Sequence, residues 1–306
     1  ENGKLFADST YRTLSNGLTG LGAVYLTAKF GAVFLEDMVA TIDVSARPFE
    51  VTTNNTSLKV HTVIMATGAD SRWLGAPGEY EYRGGGVSSC ATCDGFLYRD
   101  QHVVVIGGGD TAMEDALVLA RTSSKVTVIH RRGEFRASHV LAQRVLQHGS
   151  IFVKWNTTVE QFEGQANEQG EKILTHLHLK NKFTGEAERM EAAAAFVAIG
   201  HDPNTKVLRG QDIEMDETGY LKTFGGTTST SVPGFFAAGD VADRVYRQAI
   251  TSAGSGAMAA LDAERYLSEH GIQDEREAEI DDMMAELMAE FQVNPSGGAG
   301  IVPGSE

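Results

Sequence analysis

The chain has 306 residues, is 42% hydrophobic and carries a formal net charge of -15. That length supports a sizeable core and about two domains, and the charge argues against nucleic acid and against an anionic membrane surface as partners. No apolar run approaches the ~20 residues of a membrane span, and the first ten residues lack the basic-then-apolar layout of a secretory leader. The two cysteines, Cys90 and Cys93, are too few for a secreted disulfide scaffold. A single Cys-x-x-Cys without an export signal fits a reducing, cytoplasmic compartment and a working dithiol.

The 34 glycines cluster in short runs between apolar segments, which suits tight turns and close backbone approach to a ligand. Val60–Ala66 (VHTVIMA) predicts a short apolar strand, ended by Thr67-Gly68-Ala69. A polar, Gly-rich stretch then leads to the Cys-x-x-Cys turn. Val103–Ile106 is a β-branched run of the buried parallel kind. It passes through Gly107-Gly108-Gly109 into a helical segment, Thr111–Arg121, and Lys125–Ile129 is the next strand, which together make a βαβ unit. Downstream, the pattern predicts a helix over Ala137–Gln147, strands over Phe152–Phe162 and Leu174–Lys180, and a turn at Asn181–Gly185.

Phe196–Gly200 (FVAIG) echoes Val63–Gly68 (VIMATG), another apolar strand ending in Gly. The echo hints at two related nucleotide domains, one inserted in the other, although chance also produces such short similarities. Phe235–Asp240 reads FFAAGD, and residues from Arg247 to Tyr266 follow helical spacing. Ile280, Met283, Met284, Leu287, Met288 and Phe291 form one apolar stripe on an acidic helix, and the chain closes on a linker-like segment.

Three patterns carry chemistry. Gly107-Gly108-Gly109-Asp110-Thr111-Ala112 fits G-x-G-x-x-A between a strand and a helix. Gly107 permits the turn, Gly109 lets the backbone approach a pyrophosphate, Ala112 allows close helix–strand packing, and the helix N-terminus faces the phosphates. At the end of the second strand, where an NAD site would place an acidic residue, the chain reads His130-Arg131-Arg132, with Arg136 one loop later. Three arginines suit the dianionic 2′-phosphate of NADPH; a solvated basic loop is the alternative. In Cys90-Ala91-Thr92-Cys93-Asp94 the spacing lets two sulfurs bond and part, and Asp94 can act as acid or base if burial raises its pKa. Half of a zinc site and a structural disulfide are the alternatives; a structural zinc needs four ligands and no second Cys pair exists, so no metal is expected.

SCATCDGFLYRDQHVVVIGGGDTAMEDA, VTVIHRRGEFRAS, FVAIGHDPNT, TSVPGFFAAGDVAD and YRQAITSAGSGAMAALDAERYL, in that order, resemble the low-molecular-weight thioredoxin reductases over roughly residues 40–268. The resemblance implies an NADPH-dependent flavoprotein that reduces thioredoxin, expected as a homodimer. It implies that Cys93 faces the flavin, Cys90 attacks thioredoxin and Asp94 serves as acid–base residue. It assigns Gly239 and Asp240 to FAD, places Arg247, Gln248 and Ala249 along the flavin ring, and puts Thr67 and Gly68 near FAD. Family members begin with a strand and a G-x-G-x-x-G turn for the ADP half of FAD. Nothing of that kind precedes Val60, so the first FAD-binding half is expected to be truncated or replaced.

The expected architecture is α/β, with two related three-layer dinucleotide-binding domains. Residues 1–70 and 201–268 would form an incomplete FAD domain, residues 71–200 an inserted NADPH and dithiol domain, and residues 269–306 an acidic tail. Hinges near Ala69 and Gly200 would let one flavin serve both nicotinamide and dithiol in turn. Two alternatives stay open: a related flavin disulfide reductase with another protein partner, and an NADPH-binding remnant that has lost FAD.

Overall fold

A computed structural model of the protein describes residues 4–7 and 32–272. The expected acidic helix of residues 280–291 lies outside the described residues. Contacts divide the chain into an inserted unit, Asp70–Asp202, and a discontinuous unit made of Glu1–Ala69 and Pro203–Glu306. At the two crossings the strands Ala69–Ser71 and His201–Pro203 pair with each other.

The inserted unit is built on a five-stranded sheet in the order Ile151–Lys154, Lys125–Ile129, His102–Ile106, Ala194–Val197, Val87–Ser88, with every pair parallel. Its central strands are buried on both faces, which explains why they are rich in Val, Ile and Ala. Side chains alternate across the sheet. Val103, Val105, Val126 and Val128 pack on Ala112, Met113, Ala116 and Leu119 of the helix Asp110–Leu119 and on Val145 of the helix His139–Leu146. Val104, Ile106 and Val197 pack the other way, onto Phe162, Leu177 and Leu179. Those residues belong to an antiparallel sheet of Thr157–Ala166, Lys172–Asn181 and Ala187–Glu191. The unit thus has three layers: helices, parallel sheet, antiparallel sheet. The single strand expected over Phe152–Phe162 is two strands, because the chain turns at Trp155-Asn156, where Asn156 has φ 55°. Each half feeds a different sheet.

In the discontinuous unit the antiparallel strands Val39–Asp43, Phe49–Thr53 and Ser57–Val60 bury Ile42, Phe49 and Val51 against Leu208, Leu221 and Phe235. The expected strand Val60–Ala66 is interrupted at His61-Thr62; its second part, Val63–Met65, pairs in parallel with Phe235–Ala237. The helix Ala249–Glu269 lays Ala259 and Ala263, four residues apart, on Phe236 and Ala238. Lys4–Ala7 pairs in parallel with Val33–Glu36. Among the described residues no helix is long and apolar enough to cross a membrane.

Candidate functional site

The βαβ pattern places a glycine turn, a helix start and a basic loop together in the inserted unit. A Cβ on Gly107 would lie 2.2 Å from the Ala198 carbonyl oxygen and 2.8 Å from the Ala112 Cβ, so the turn is crowded from inside. A Cβ on Gly109 would meet nothing within 4 Å. Packing within the chain therefore does not demand glycine at 109, and the open space is where a ligand can approach. Gly109 is the N-cap of the helix Asp110–Leu119 and supplies no side-chain cap. The first-turn amides, Thr111 included, are left to a ligand or water, as an anion site requires.

The basic loop is tied to that turn. The Arg136 and Ala137 amides donate to the Gly108 carbonyl at 2.8 and 3.2 Å. Arg131, Arg132 and Arg136 are exposed, and none forms an ion pair among the described residues. His130 differs from its arginine neighbours. It is buried at 5% exposure, its ring lies against Gly108, and its Nε2 has no hydrogen-bond partner. Burial, aided by the charges of Arg132, Arg136 and Arg131, holds His130 below the usual histidine range, so the ring is neutral at physiological pH. Phe135 and Trp155 pack beside it, with ring centroids 5.7 and 6.2 Å away. Neither aromatic was readable as part of the site, because Trp155 reaches it from the break between two strands.

Cys90 and Cys93 form a disulfide with Cα atoms 5.3 Å apart. Cys90 is the N-cap of the short helix Ala91–Asp94, and its Sγ accepts the Cys93 amide at 3.2 Å and lies 3.3 Å from the Thr92 hydroxyl. The Cys90 amide donates to Ser88 Oγ at 3.0 Å. Both donors to Cys90 Sγ favour a thiolate once the bond opens. Cys93 is exposed and Cys90 half-buried. Asp94 is half-buried, and its charge, after burial, helps to push the Tyr98 hydroxyl up. Behind the cysteines, Ala91 joins the core that holds the helix Asp110–Leu119, and a Cβ on Gly95 would lie 2.7 Å from Leu119 Cδ2. Dithiol and glycine turn are thus packed into one unit. Phe96 and Leu97, next along the chain, are 60% and 57% exposed.

The discontinuous unit gathers the remaining candidates. Gly239 opens a 3-10 turn, Gly239–Val241, with φ 71°. L side chains rarely adopt that backbone. Its amide donates to Ser255 Oγ at 2.9 Å, and Asp240 accepts from Ser252 Oγ at 3.0 Å. Burial first, and then the charge of Asp243, raise Asp240 above the ordinary carboxylate range. The carboxylate retains acceptor capacity for a ligand hydroxyl. Asp243 orders the following loop by accepting the amides of Val245, Tyr246 and Arg247 at 2.9, 2.8 and 3.0 Å. Gln248 then precedes the helix that starts at Ala249, and its amide donates to Thr251 Oγ1 at 3.3 Å. Thr67 and Gly68, after the strand Val63–Met65, are tied to Asn204: Thr67 Oγ1 donates to its carbonyl at 2.8 Å, and its amide donates to Gly68 at 3.0 Å. Ser252 and Ser255 sit inside a helical pattern and carry no signal of their own. Asp243, an Asp ahead of a helix start, carries a local amide-capture signal.

Among the described residues, no cluster of three or more His, Cys, Asp or Glu side chains could hold a metal ion. Residues 19–256 match the pyridine nucleotide-disulphide oxidoreductase family. A thioredoxin reductase of Neurospora crassa is 48% identical over 247 residues, spanning 79% of this chain and 72% of that protein. The solved thioredoxin reductase of Giardia duodenalis is similar with a TM-score of 0.73 and 41% identity, over 78% of this chain and 76% of that one. That of Streptococcus pyogenes gives a TM-score of 0.76 and 34% identity, over 82% and 80%.

Proposed function

The chain belongs to the pyridine nucleotide-disulphide oxidoreductase family, and from that premise we propose that it is an NADPH-dependent thioredoxin reductase that uses FAD and the Cys90–Cys93 pair. The observation that carries the reading is the packing of a closed, solvent-reaching Cys-x-x-Cys pair directly behind the helix of a dinucleotide turn.

The residues fit both cofactors. NADPH would be held by the turn Gly107, Gly108, Gly109 and by the backbone amides of Asp110, Thr111 and Ala112 at the helix start, which are uncapped and lie where Gly109 faces open space. Arg131, Arg132 and Arg136, with His130 behind them, would take the 2′-phosphate. For FAD, the half represented by Thr67, Gly68, Gly239, Asp240, Arg247, Gln248 and Ala249 offers a carboxylate acceptor and a backbone turn. No strand, glycine turn and α-helix in succession is found among the described residues of the discontinuous unit. Bound FAD supplies the two-electron relay between nicotinamide and disulfide.

Once the pair is reduced, the Cys90 thiolate, favoured by the Cys93 amide and the Thr92 hydroxyl, attacks one sulfur of the partner's disulfide. The Cys90–partner bond forms and the partner's second sulfur leaves as thiolate. Cys93 then attacks Cys90 Sγ, which restores the Cys90–Cys93 bond and frees the partner's first sulfur. Asp94 supplies or removes the proton for these steps. Exposure alone would favour Cys93 as the attacking sulfur; the family resemblance and the two donors on Cys90 support the opposite order. Phe96 and Leu97 offer the partner an apolar surface beside the dithiol. A homodimer in the cytoplasm completes the proposal and rests on the resemblance. A trapping experiment tests the order of attack. Cys93→Ser, given thioredoxin, should accumulate a mixed disulfide through Cys90, and Cys90→Ser should not; the reverse pattern would exchange the two roles.

A further inference from the structure

Three amides fix the basic loop to the glycine turn, and two residues of the turn accept them. The Gly108 carbonyl takes Arg136 and Ala137, and Asp110 Oδ1 takes the Ser138 amide at 2.6 Å. Beneath the loop, the buried His130 ring occupies the space that a Cβ on Gly108 would need; the nearest ring atom would lie 2.2 Å away. The carbonyl bonds require no particular side chain, whereas the Ser138 bond requires an acceptor at residue 110.

An acidic residue at the head of a phosphate-facing helix is otherwise hard to explain. Negative charge suits a helix N-terminus, but a carboxylate beside a bound phosphate repels it. The Ser138 bond gives Asp110 another task. Building on the NADPH reading above, we propose that Asp110 is a positioning residue for cofactor choice: by holding the Ser138 amide it keeps the arginine loop at the distance from the glycine turn that a 2′-phosphate requires. The loop needs the acceptor oxygen and not the charge. Asparagine therefore replaces Asp110 without loss, and alanine does not. Ser138 has φ -54°, which proline adopts readily. Ser138→Pro thus removes the donated N–H from the other side of the same bond without forcing the backbone.

The test is calorimetric titration of the full chain with 2′,5′-ADP, which carries the 2′-phosphate, and with 5′-ADP, which lacks it. Asp110→Ala and Ser138→Pro should each weaken 2′,5′-ADP about tenfold and leave 5′-ADP within about twofold. Asp110→Asn should bind both as the unaltered chain does, and the double variant Asp110→Ala/Ser138→Pro should lose no more than either single change. Retained 5′-ADP binding reports an intact glycine turn in each variant. Tighter 2′,5′-ADP binding by both Asp110→Ala and Asp110→Asn would overturn the proposal, because the carboxylate would then face the phosphate. So would a Ser138→Pro variant with unchanged preference, or equal loss of both nucleotides. If the unaltered chain itself failed to prefer 2′,5′-ADP, the NADPH reading would fall and this inference with it.

Discussion

In the inserted unit the buried strand His102–Ile106, the glycine turn and the helix Asp110–Leu119 follow without a break, and that helix begins with no side-chain cap. In the discontinuous unit the strand Phe235–Ala237 also ends at a glycine turn, but a 3-10 turn and a loop ordered by Asp243 intervene before the helix Ala249–Glu269. Ahead of that helix, Asp243 takes the amides of Val245, Tyr246 and Arg247, and the Gln248 amide donates to Thr251 Oγ1 at 3.3 Å. The first arrangement leaves amides open to an anion; the second uses its amides internally and presents Asp240 instead. A bare helix start can take an anion, and a turn that presents a carboxylate can take a hydroxyl.

The sharpest way to break this comparison is to disarm one unit at a time. Replacing Arg131 and Arg132 with glutamine should remove about 1.5–3 kcal/mol of NADPH binding for each lost charge-assisted contact. NADH binding, read by the same titration, should stay unchanged. Equal losses for both nucleotides would reduce the basic loop to a solvated surface.

Gly239→Ala should act on the other unit. Forcing a Cβ into φ 71° costs about 1–2 kcal/mol, and the new methyl would meet Ser252 Oγ at 3.4 Å. The flavin absorbance retained by the purified protein should fall, while 2′,5′-ADP binding by the inserted unit stays intact. A variant with full flavin content would detach Gly239 from the FAD site.

The smallest effect is expected at Glu163, far from either glycine turn in sequence. Arg189 binds both its carboxylate oxygens, at 2.9 and 2.7 Å, and His178 Nε2 lies 2.5 Å from one of them. The Arg189 bonds first, and then His178, bring the Glu163 pKa down from 4.5 to about 2. A carboxylate with a depressed folded pKa contributes stability that is fully present above its unfolded value and is lost as pH falls through the folded one. Chemical denaturation of Glu163→Gln and the unaltered chain should therefore differ slightly above pH 4.5 and converge toward pH 2. The difference is small because the network is exposed and screened. A gap that stayed constant from pH 6 to pH 2 would show that Glu163 contributes through packing.

Legibility in the sequence follows the same division. The inserted unit was readable because its central strands are buried on both faces and its turn chemistry is local: Val103–Ile106, Gly107–Gly109 and Lys125–Ile129 stand as expected. The strands Val39–Asp43 and Phe49–Thr53 were not foreseen. Half of each is solvent-facing, and alternation over five residues with Thr on both faces gives little contrast. The arginines of the basic loop could be named as candidates from position alone. The neutral, buried state of His130 could not, because it depends on Gly108, Phe135 and Trp155 meeting in space. The Asp110–Ser138 bond joins residues 28 apart and left no trace in the spacing.

The most direct measurement counts thiols during an anaerobic titration of the purified protein with NADPH. After each addition, free thiols are alkylated and located by mass spectrometry. No label should appear before NADPH; two should then appear together, on Cys90 and Cys93, and disappear when oxidised thioredoxin is added. NADPH oxidation that leaves the Cys90–Cys93 bond closed, or labels that persist in the presence of oxidised thioredoxin, would contradict it.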